Sequence, residues 1–290
     1  MLTKEGVLMD ARKILLKAGG DKAIEIQVAT AATWPKIRAQ LSRVAQAWAE
    51  AQNFTGSSGT CLQIPDGKGA VAEVILGSNP GDDGFNLARL YRQLPPGSYA
   101  FKGAKSESPK FVELAWCLEA YGFDRYKANT KKFSSLVCST HVDYEDVVRL
   151  SNATYLVRDL INTPSNDFGP DELETAARKV ASHYKAKLSV VKGEALKRGF
   201  PMIYEVGKAS PRQPRLIDFS WGSTRAPKVT LVGKGVCFDT GGLDIKAASG
   251  MALMKKDMGG AANVLGLAQM IMDAKLPVRL LVLNPPLKIP

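Results

Sequence analysis

Residues Val232 to Ala262 read VGKGVCFDTGGLDIKAASGMALMKKDMGGAA. Lys234, Asp239, Asp244, Lys246, Lys255, Lys256 and Asp257 stand there among seven glycines, directly after the largely apolar run Val229 to Val232. A strand that runs into a glycine-rich, charge-dense loop and then a helix is how α/β proteins present chemistry at the carboxyl end of a sheet. The charges are mixed in sign and sit beside glycines, which let backbone approach backbone. That pattern marks a site rather than a solvated face.

The flanks fit this reading. Lys228 to Val232 is expected as the strand that delivers the chain into the loop. Gly259 to Ala274 is apolar nearly all round, as a helix buried against a sheet would be. Pro277 to Leu283 is a further strand, after which NPPLKIP closes the sequence. Upstream, Asp143 to Asn162 carries the longest helical pattern, with acidic residues in its first turn that suit the helix dipole and Thr163-Pro164 to stop it. Pro170 opens a helix over Asp171 to Tyr184. A strand at Leu188 to Val191, a short helix at Gly193 to Arg198, and strands at Phe200 to Gly207 and Arg215 to Phe219 are expected next.

The N-terminal half alternates in the same way. Strands are expected at Ala23 to Thr30, Gly69 to Leu76, Ser98 to Lys102 and Phe133 to Cys138, with helices at Trp34 to Ala51 and Pro109 to Gly122. Strands alternating with helices predict a mostly parallel sheet. The expected fold class is therefore α/β. A small N-terminal α/β domain covers 1–142, a connecting helix 143–164, and a second α/β domain with a mixed, mostly parallel sheet 165–290.

Composition bounds the function. A chain of 290 residues is long enough for two domains and a sizeable core. Cys61, Cys117, Cys138 and Cys237 form no CxxC pair, and the start, MLTKEGVLMDARK, lacks the apolar segment of a signal peptide. Free thiols in a cytoplasmic protein are the expectation. No apolar run approaches the roughly 20 residues that span a bilayer. The net charge of +11 raises the question of a nucleic-acid partner. However, the basic residues are spread along the chain and their densest groups are short (Lys127, Lys131, Lys132; Arg178, Lys179, Lys185, Lys187). No nucleic-acid-binding motif accompanies them, so a basic surface is the expectation. His141 is expected to be a packed or surface residue rather than a ligand.

In the glycine-rich loop, Asp239 and Asp257 would not be buried without a cation, because an isolated buried charge is very costly. The partners at hand are the lysines or a metal. Carboxylate oxygens with no histidine nearby suit magnesium, manganese or zinc, and a neighbouring dication favours the neutral amine of a lysine. Structural ion pairs at a sheet edge fit the same residues, so both readings stand at this point. The GxxxxGK[ST] spacing of a phosphate loop is absent. Cys237, with no histidine near it in sequence, reads as an inert buried thiol.

VGKGVCFDTGGLDIK followed by GMALMKKDMGGAA resembles the leucyl (cytosol) aminopeptidase family of two-metal exopeptidases, and RDLINTPSNDFGP at Arg158 to Pro170 resembles that family's entry to its catalytic domain. The resemblance implies that Lys234 and Asp257 ligate one metal, that Asp239 bridges two, and that Lys246 is the catalytic lysine that steadies the oxyanion. It implies metal-assisted release of N-terminal amino acids from peptides by two divalent ions, manganese or zinc, with leucine-like side chains preferred. Met251 and Met254 would lie near the pocket for the first side chain, or be ordinary core. A homo-oligomer, a hexamer by family, is implied too.

The family's second motif, N-T-D-A-E-G-R, does not occur in these 290 residues, and NPPLKIP stands where the family has a segment like PAVENS. The catalytic domain is thus expected to be cut short and the second metal site to be incomplete. A sheet edge and an apolar face would then be left uncovered. The competing reading is a non-catalytic, truncated subunit that binds a protein partner or nucleic acid through its basic surface.

Overall fold

The computed structural model describes residues 9–17, 23–79, 81–82, 84–102, 109–128 and 133–290. They fall into two units, Met9–Gly122 with Tyr126–Asn152, and Ala153–Pro290 with Phe123–Arg125.

In the first unit the chain forms β1 (Leu15–Leu16), β2 (Ile24–Ala29), α1 (Trp34–Gln40), α2 (Arg43–Ala51), β3 (Cys61–Pro65), β4 (Val71–Gly77), α3 (Gly84–Ala88), β5 (Gly97–Phe101), α4 (Pro109–Ala120) and β6 (Ser134–Val137). The strands make one sheet in the order β1-β6-β5-β2-β4-β3, parallel throughout except for β3 against β4. Parallel strands need both faces covered, and Ile26, Val74, Ile75, Leu76, Tyr99 and Leu136 are fully buried.

The helix expected over Trp34 to Ala51 is two helices. Leu41 and Ser42 are extended, and the Ser42 hydroxyl accepts from the Ala45 N–H to cap α2. Strand β3 escaped the sequence reading. Along it, Trp48 Nε1 donates to the Gln63 carbonyl at 2.9 Å. His141 is exposed, as expected.

Helix α5 (Tyr144–Asn162) is shared, its residues up to 152 counting with the first unit and those from 153 with the second. The second unit continues with α6 (Pro170–His183), β7 (Lys187–Lys192), α7 (Gly193–Gly199), α8 (Pro201–Gly207), β8 (Arg215–Trp221), β9 (Lys228–Val232) and β10 (Gly235–Asp239). After α9 (Ala248–Met251) and a 3-10 turn (Met254–Lys256) come α10 (Gly259–Asp273), β11 (Arg279–Asn284) and β12 (Pro286–Ile289). Four strands form a mixed sheet in the order β7-β8-β11-β9, in which β8 runs antiparallel to both neighbours and β11 parallel to β9. Strands β10 and β12 form a separate parallel pair.

One expectation is corrected here. Phe200 to Gly207 is not a strand but leads into α8. Pro201 brings no N–H to a sheet ladder and its fixed φ suits a first helical turn, while Met202, Ile203 and Val206 recur at helical spacing. The segment after Asn284, to which the sequence reading assigned no element, contains β12, which Pro286 starts, a position at which a missing N–H is tolerated.

The core of the second unit forms around α10. Ala261, Leu265, Ala268 and Met272 pack with Leu156, Leu160, Leu173, Phe219, Leu280 and Val282. Burying each such leucine contributes about 2 kcal/mol. Gly266 lets α10 approach α5, since a Cβ there would stand 2.6 Å from Val157 Cγ2.

Charges hold α6 in place. Glu172 accepts from the Gly169 N–H at 2.7 Å and from Arg212 at 2.7 Å. Arg215, only 4% exposed, pairs with Asp171 and Glu174 at 2.6 Å each. No helix among the described residues is long and apolar enough to cross a membrane.

Candidate metal centre

Three backbone features bring the charged residues of the glycine-rich stretch together. At the first, Gly233 carries the chain out of β9. A Cβ there would meet Asn284 Oδ1 at 2.6 Å, Ala261 Cα at 2.7 Å and the Gly260 carbonyl at 2.8 Å. The link between β9 and β10 that bears Lys234 is thereby wedged between the end of β11 and the first turn of α10. The Lys234 carbonyl fixes it by accepting from the Ala261 N–H at 2.9 Å.

At the second, Gly241 has a φ of +95° and no room for a side chain, its Cβ position lying 2.2 Å from the Asp244 carbonyl. The loop folds back and the Lys246 N–H donates to the Thr240 carbonyl at 2.8 Å. The third is the 3-10 turn, which closes with the Asp257 N–H on the Met254 carbonyl at 3.1 Å.

The result is two ion pairs. Lys234 Nζ lies 2.7 Å from Asp257 Oδ1, and Lys246 Nζ lies 2.8 Å from Asp239 Oδ2. Asp239 Oδ1 accepts from the Gly241 N–H at 2.8 Å. The carboxylates are the inner members, their side chains 13% exposed at Asp257 and 16% at Asp239, against 59% for Lys234. Burial pushes the Asp239 carboxyl up, but the Lys246 and Gly241 hydrogen bonds and the charges of Lys246 and Lys234 outweigh it and hold the group below the usual aspartate range. Lys234 therefore acts on both carboxylates.

All four predicted site residues, Lys234, Asp239, Lys246 and Asp257, are thus brought together as two interacting pairs. The ion-pair reading and the metal reading meet in the same residues. Whether they suit a metal can be tested on Asp257, whose second oxygen, Oδ2, is buried with no hydrogen-bond partner. A carboxylate oxygen is costly to leave so, and a hard cation is the partner that oxygen donors prefer. The donors at hand, the Asp239 and Asp257 carboxylates and the Lys234 amine, are of types that suit a divalent cation. Among the described residues no group of three or more His, Cys, Asp or Glu could hold a metal ion, so a cation here would rest on two carboxylates and a lysine.

Of the neighbours, Met254 Sδ lies 3.6 Å from Lys246 Nζ, and Met251 is half-buried. Asp244 and Lys256 are exposed. Cys237 is 1% exposed and burial pushes its thiol up to about 12, which leaves it inert. Of the basic group near residue 130, Lys131 and Lys132 lie outside the described residues, and Lys127 is exposed.

Sequence reasoning gave no role to two residues beside the site. Lys255 Nζ donates to the Asn162 carbonyl at 3.1 Å, at the end of α5. Asn284, the fully buried last residue of β11, has neither side-chain amide atom hydrogen-bonded. A buried amide in a strand-ending Leu-Asn-Pro has no short-range signature. Lys255 had one, a cation two positions before a candidate ligand.

Comparison with known proteins places this geometry. The catalytic-domain model of the cytosol aminopeptidase family matches residues 155–287, and the M17 aminopeptidase N-terminal-domain model matches residues 25–139. A leucine aminopeptidase 1 of Caenorhabditis elegans is 37% identical over 205 residues, covering 65% of this chain and 41% of that protein. A probable cytosol aminopeptidase of Caulobacter vibrioides is 31% identical over 278 residues, covering 86% of this chain and 56% of that protein. Among solved structures, the cytosol aminopeptidase of Coxiella burnetii superposes with a TM-score of 0.90 at 41% identity, covering 95% of this chain and 61% of that one. The bottromycin maturation enzyme BotP, solved in complex with Mn, shares the fold with a TM-score of 0.77 at 22% identity, covering 93% of this chain and 60% of that one. The chain thus spans about two fifths to three fifths of the length of these relatives.

Proposed function

The chain belongs to the cytosol aminopeptidase family of metallo-exopeptidases that use two divalent metals, and from that premise we propose that its glycine-rich site serves the removal of N-terminal amino acids from peptides. The observation that carries this reading is Asp257. Its carboxylate is half-buried, shares only one oxygen with Lys234 and keeps the other, buried one unpartnered. Asp239, Asp257 and Lys234 would hold a divalent ion, manganese or zinc. When bound, it supplies Lewis-acid polarisation of the scissile carbonyl and a more acidic water.

The chain's own residues have distinct tasks. Asp239 orients Lys246 through their 2.8 Å ion pair. Lys246 brings a positive charge to the oxygen on which negative charge develops as the peptide bond is attacked. Met254, in contact with Lys246 Nζ at 3.6 Å, would offer a soft apolar wall to a leucine-like first side chain. With this reading go a catalytic domain over 165–290, an N-terminal domain over 1–142 joined by the helix of 143–164, a homo-oligomeric assembly and a cytoplasmic location. The last is supported by the names of the relatives.

The test is hydrolysis of a leucine anilide by the purified chain, with and without added manganese, beside Lys246→Ala. Manganese-dependent turnover that Lys246→Ala lowers by at least about 100-fold, the scale of losing one oxyanion donor, supports the proposal. No turnover from a folded preparation that also retains DNA in a salt-sensitive way would replace it with the non-catalytic reading.

A further inference from the structure

Lys255 is half-buried, and its ammonium donates at 3.1 Å to the carbonyl of Asn162, the last residue of α5. The final carbonyls of a helix have no intrahelical partners and form the negative end of its dipole, so an ammonium is the natural cap there. The next residue, Lys256, is exposed. The bonds inside the 3-10 turn, Lys256 N–H to the Leu253 carbonyl and Asp257 N–H to the Met254 carbonyl at 3.1 Å each, are local and cannot place the turn in space. Downstream of Asp257, the Ala261 N–H is fastened to the Lys234 carbonyl at 2.9 Å. Asp257 therefore sits between anchors, with Lys255 on α5 before it and, after it, Met258 in the core and Ala261 on the Lys234 carbonyl.

We propose that Lys255 is a positioning residue that, by capping α5, holds the turn so that Asp257 Oδ2 stays directed into the interior, and so sets the affinity of the site for a divalent cation. The proposal rests on the reading of Asp257 as a ligand given above. A carboxylate on a tethered turn keeps its inner oxygen unsolvated and ready for a cation. On a loose turn the same oxygen swings to water, and binding must first undo that hydration. Residues that orient ligands in this way commonly change metal affinity 10- to 100-fold when removed. Lys255 is a member of neither ion pair, so its effect would come through geometry.

The experiment is a calorimetric titration of the full chain with manganese alone, for the wild type, Lys255→Met, Lys255→Gln and Lys255→Arg, with thermal melts of each. Arg215→Met serves as a variant destabilised away from the site. The expected result is an affinity lowered at least about tenfold in Lys255→Met and restored to within about threefold in Lys255→Arg, whose guanidinium can still cap the helix. Arg215→Met should lose stability without losing manganese. Affinity unchanged in a folded Lys255→Met, or lost equally in Lys255→Arg, overturns the proposal. If Lys255→Met does not fold, the Gln and Arg variants decide, since the proposal requires Arg to bind more tightly than Gln. A wild type that takes up no manganese overturns the metal reading itself, and this inference with it.

Discussion

Lys234 reaches only one oxygen of Asp257, 2.7 Å away, and the other oxygen of the same carboxylate is buried with no partner. The pair is half satisfied and oriented inward. A cation that takes the inner oxygen and recruits the Lys234 amine must displace a proton from that amine. Manganese binding should therefore release close to one proton, seen as a binding enthalpy that changes with the ionisation enthalpy of the buffer. Asp257→Asn should weaken binding by more than about 100-fold, beyond the range typical of supporting residues. A buffer-independent enthalpy, or an unchanged isotherm in Asp257→Asn, would remove this pair from the site.

Acid should act on the second pair. The Asp239 carboxyl is held below its ordinary value of 3.8, burial being outweighed by Lys246, the Gly241 N–H and the charge of Lys234. A carboxylate depressed on folding contributes stability that is present above its unfolded value and lost as pH falls through its folded one. Denaturant melts from about pH 6 down to about pH 2 should show the wild type losing more stability than Asp239→Asn, with most of the difference arising below about pH 4. Parallel curves would mean that the Asp239–Lys246 contact is not maintained in solution.

Gly233→Ala places a methyl within 2.8 Å of Ala261 Cα and the Gly260 carbonyl, both backbone, and of Oδ1 of the fully buried Asn284. Overpacking of this kind should cost about 2 to 3 kcal/mol, read by urea unfolding, and should weaken manganese binding because Lys234 moves with the β9–β10 link. Gly250→Ala, whose Cβ would meet nothing within 4 Å, should be neutral or slightly stabilising in the same experiment.

Arg215→Met strips the buried end of α6 of its counter-charge. Glu174 keeps only Arg178 as a charged partner, while Asp171, with 59% of its side chain exposed, is left to water. The expected loss is about 3 kcal/mol, at the low end for breaking a buried pair because one partner is solvated. A melt within about 0.5 kcal/mol of wild type would show that the arginine's stem, rather than its charge, does the packing.

Most of the architecture was legible because periodicity and punctuation agree over long elements. Helices α5, α6 and α10 and strands β2, β8, β9 and β11 lie within a few residues of where the sequence puts them. Misreadings fell on short segments. The run from Phe200 to Gly207 is apolar enough for a strand, and Pro201 together with the spacing of Met202, Ile203 and Val206 tips it toward helix. CLQIP and PLKI each carry a proline and too few residues for alternation to show, so β3 and β12 went unread. At the site, the residue types announced themselves through glycine and charge density. The pairing did not, since nothing in the order of residues says that Lys246 folds back to Asp239 while Lys234 crosses to Asp257. Gly241 at φ +95° and the close fit at Gly233 decide that, and both are properties of the folded backbone.

The contact between Trp48 and β3 bears on how open the outer edge of the first sheet is to pairing. The Gly77 N–H donates to the Thr60 carbonyl, so Leu62 and Ile64 turn their backbone groups toward β4, while Cys61, Gln63 and Pro65 face the outer rim. A rim of free amides is a template on which a stray strand can grow. Here Pro65 has no amide hydrogen to give, and the Gln63 carbonyl is already taken by the Trp48 indole. Two of three outward positions are thus spoiled for a newcomer. The Trp48 indole thus makes this edge a poorer template for strand addition.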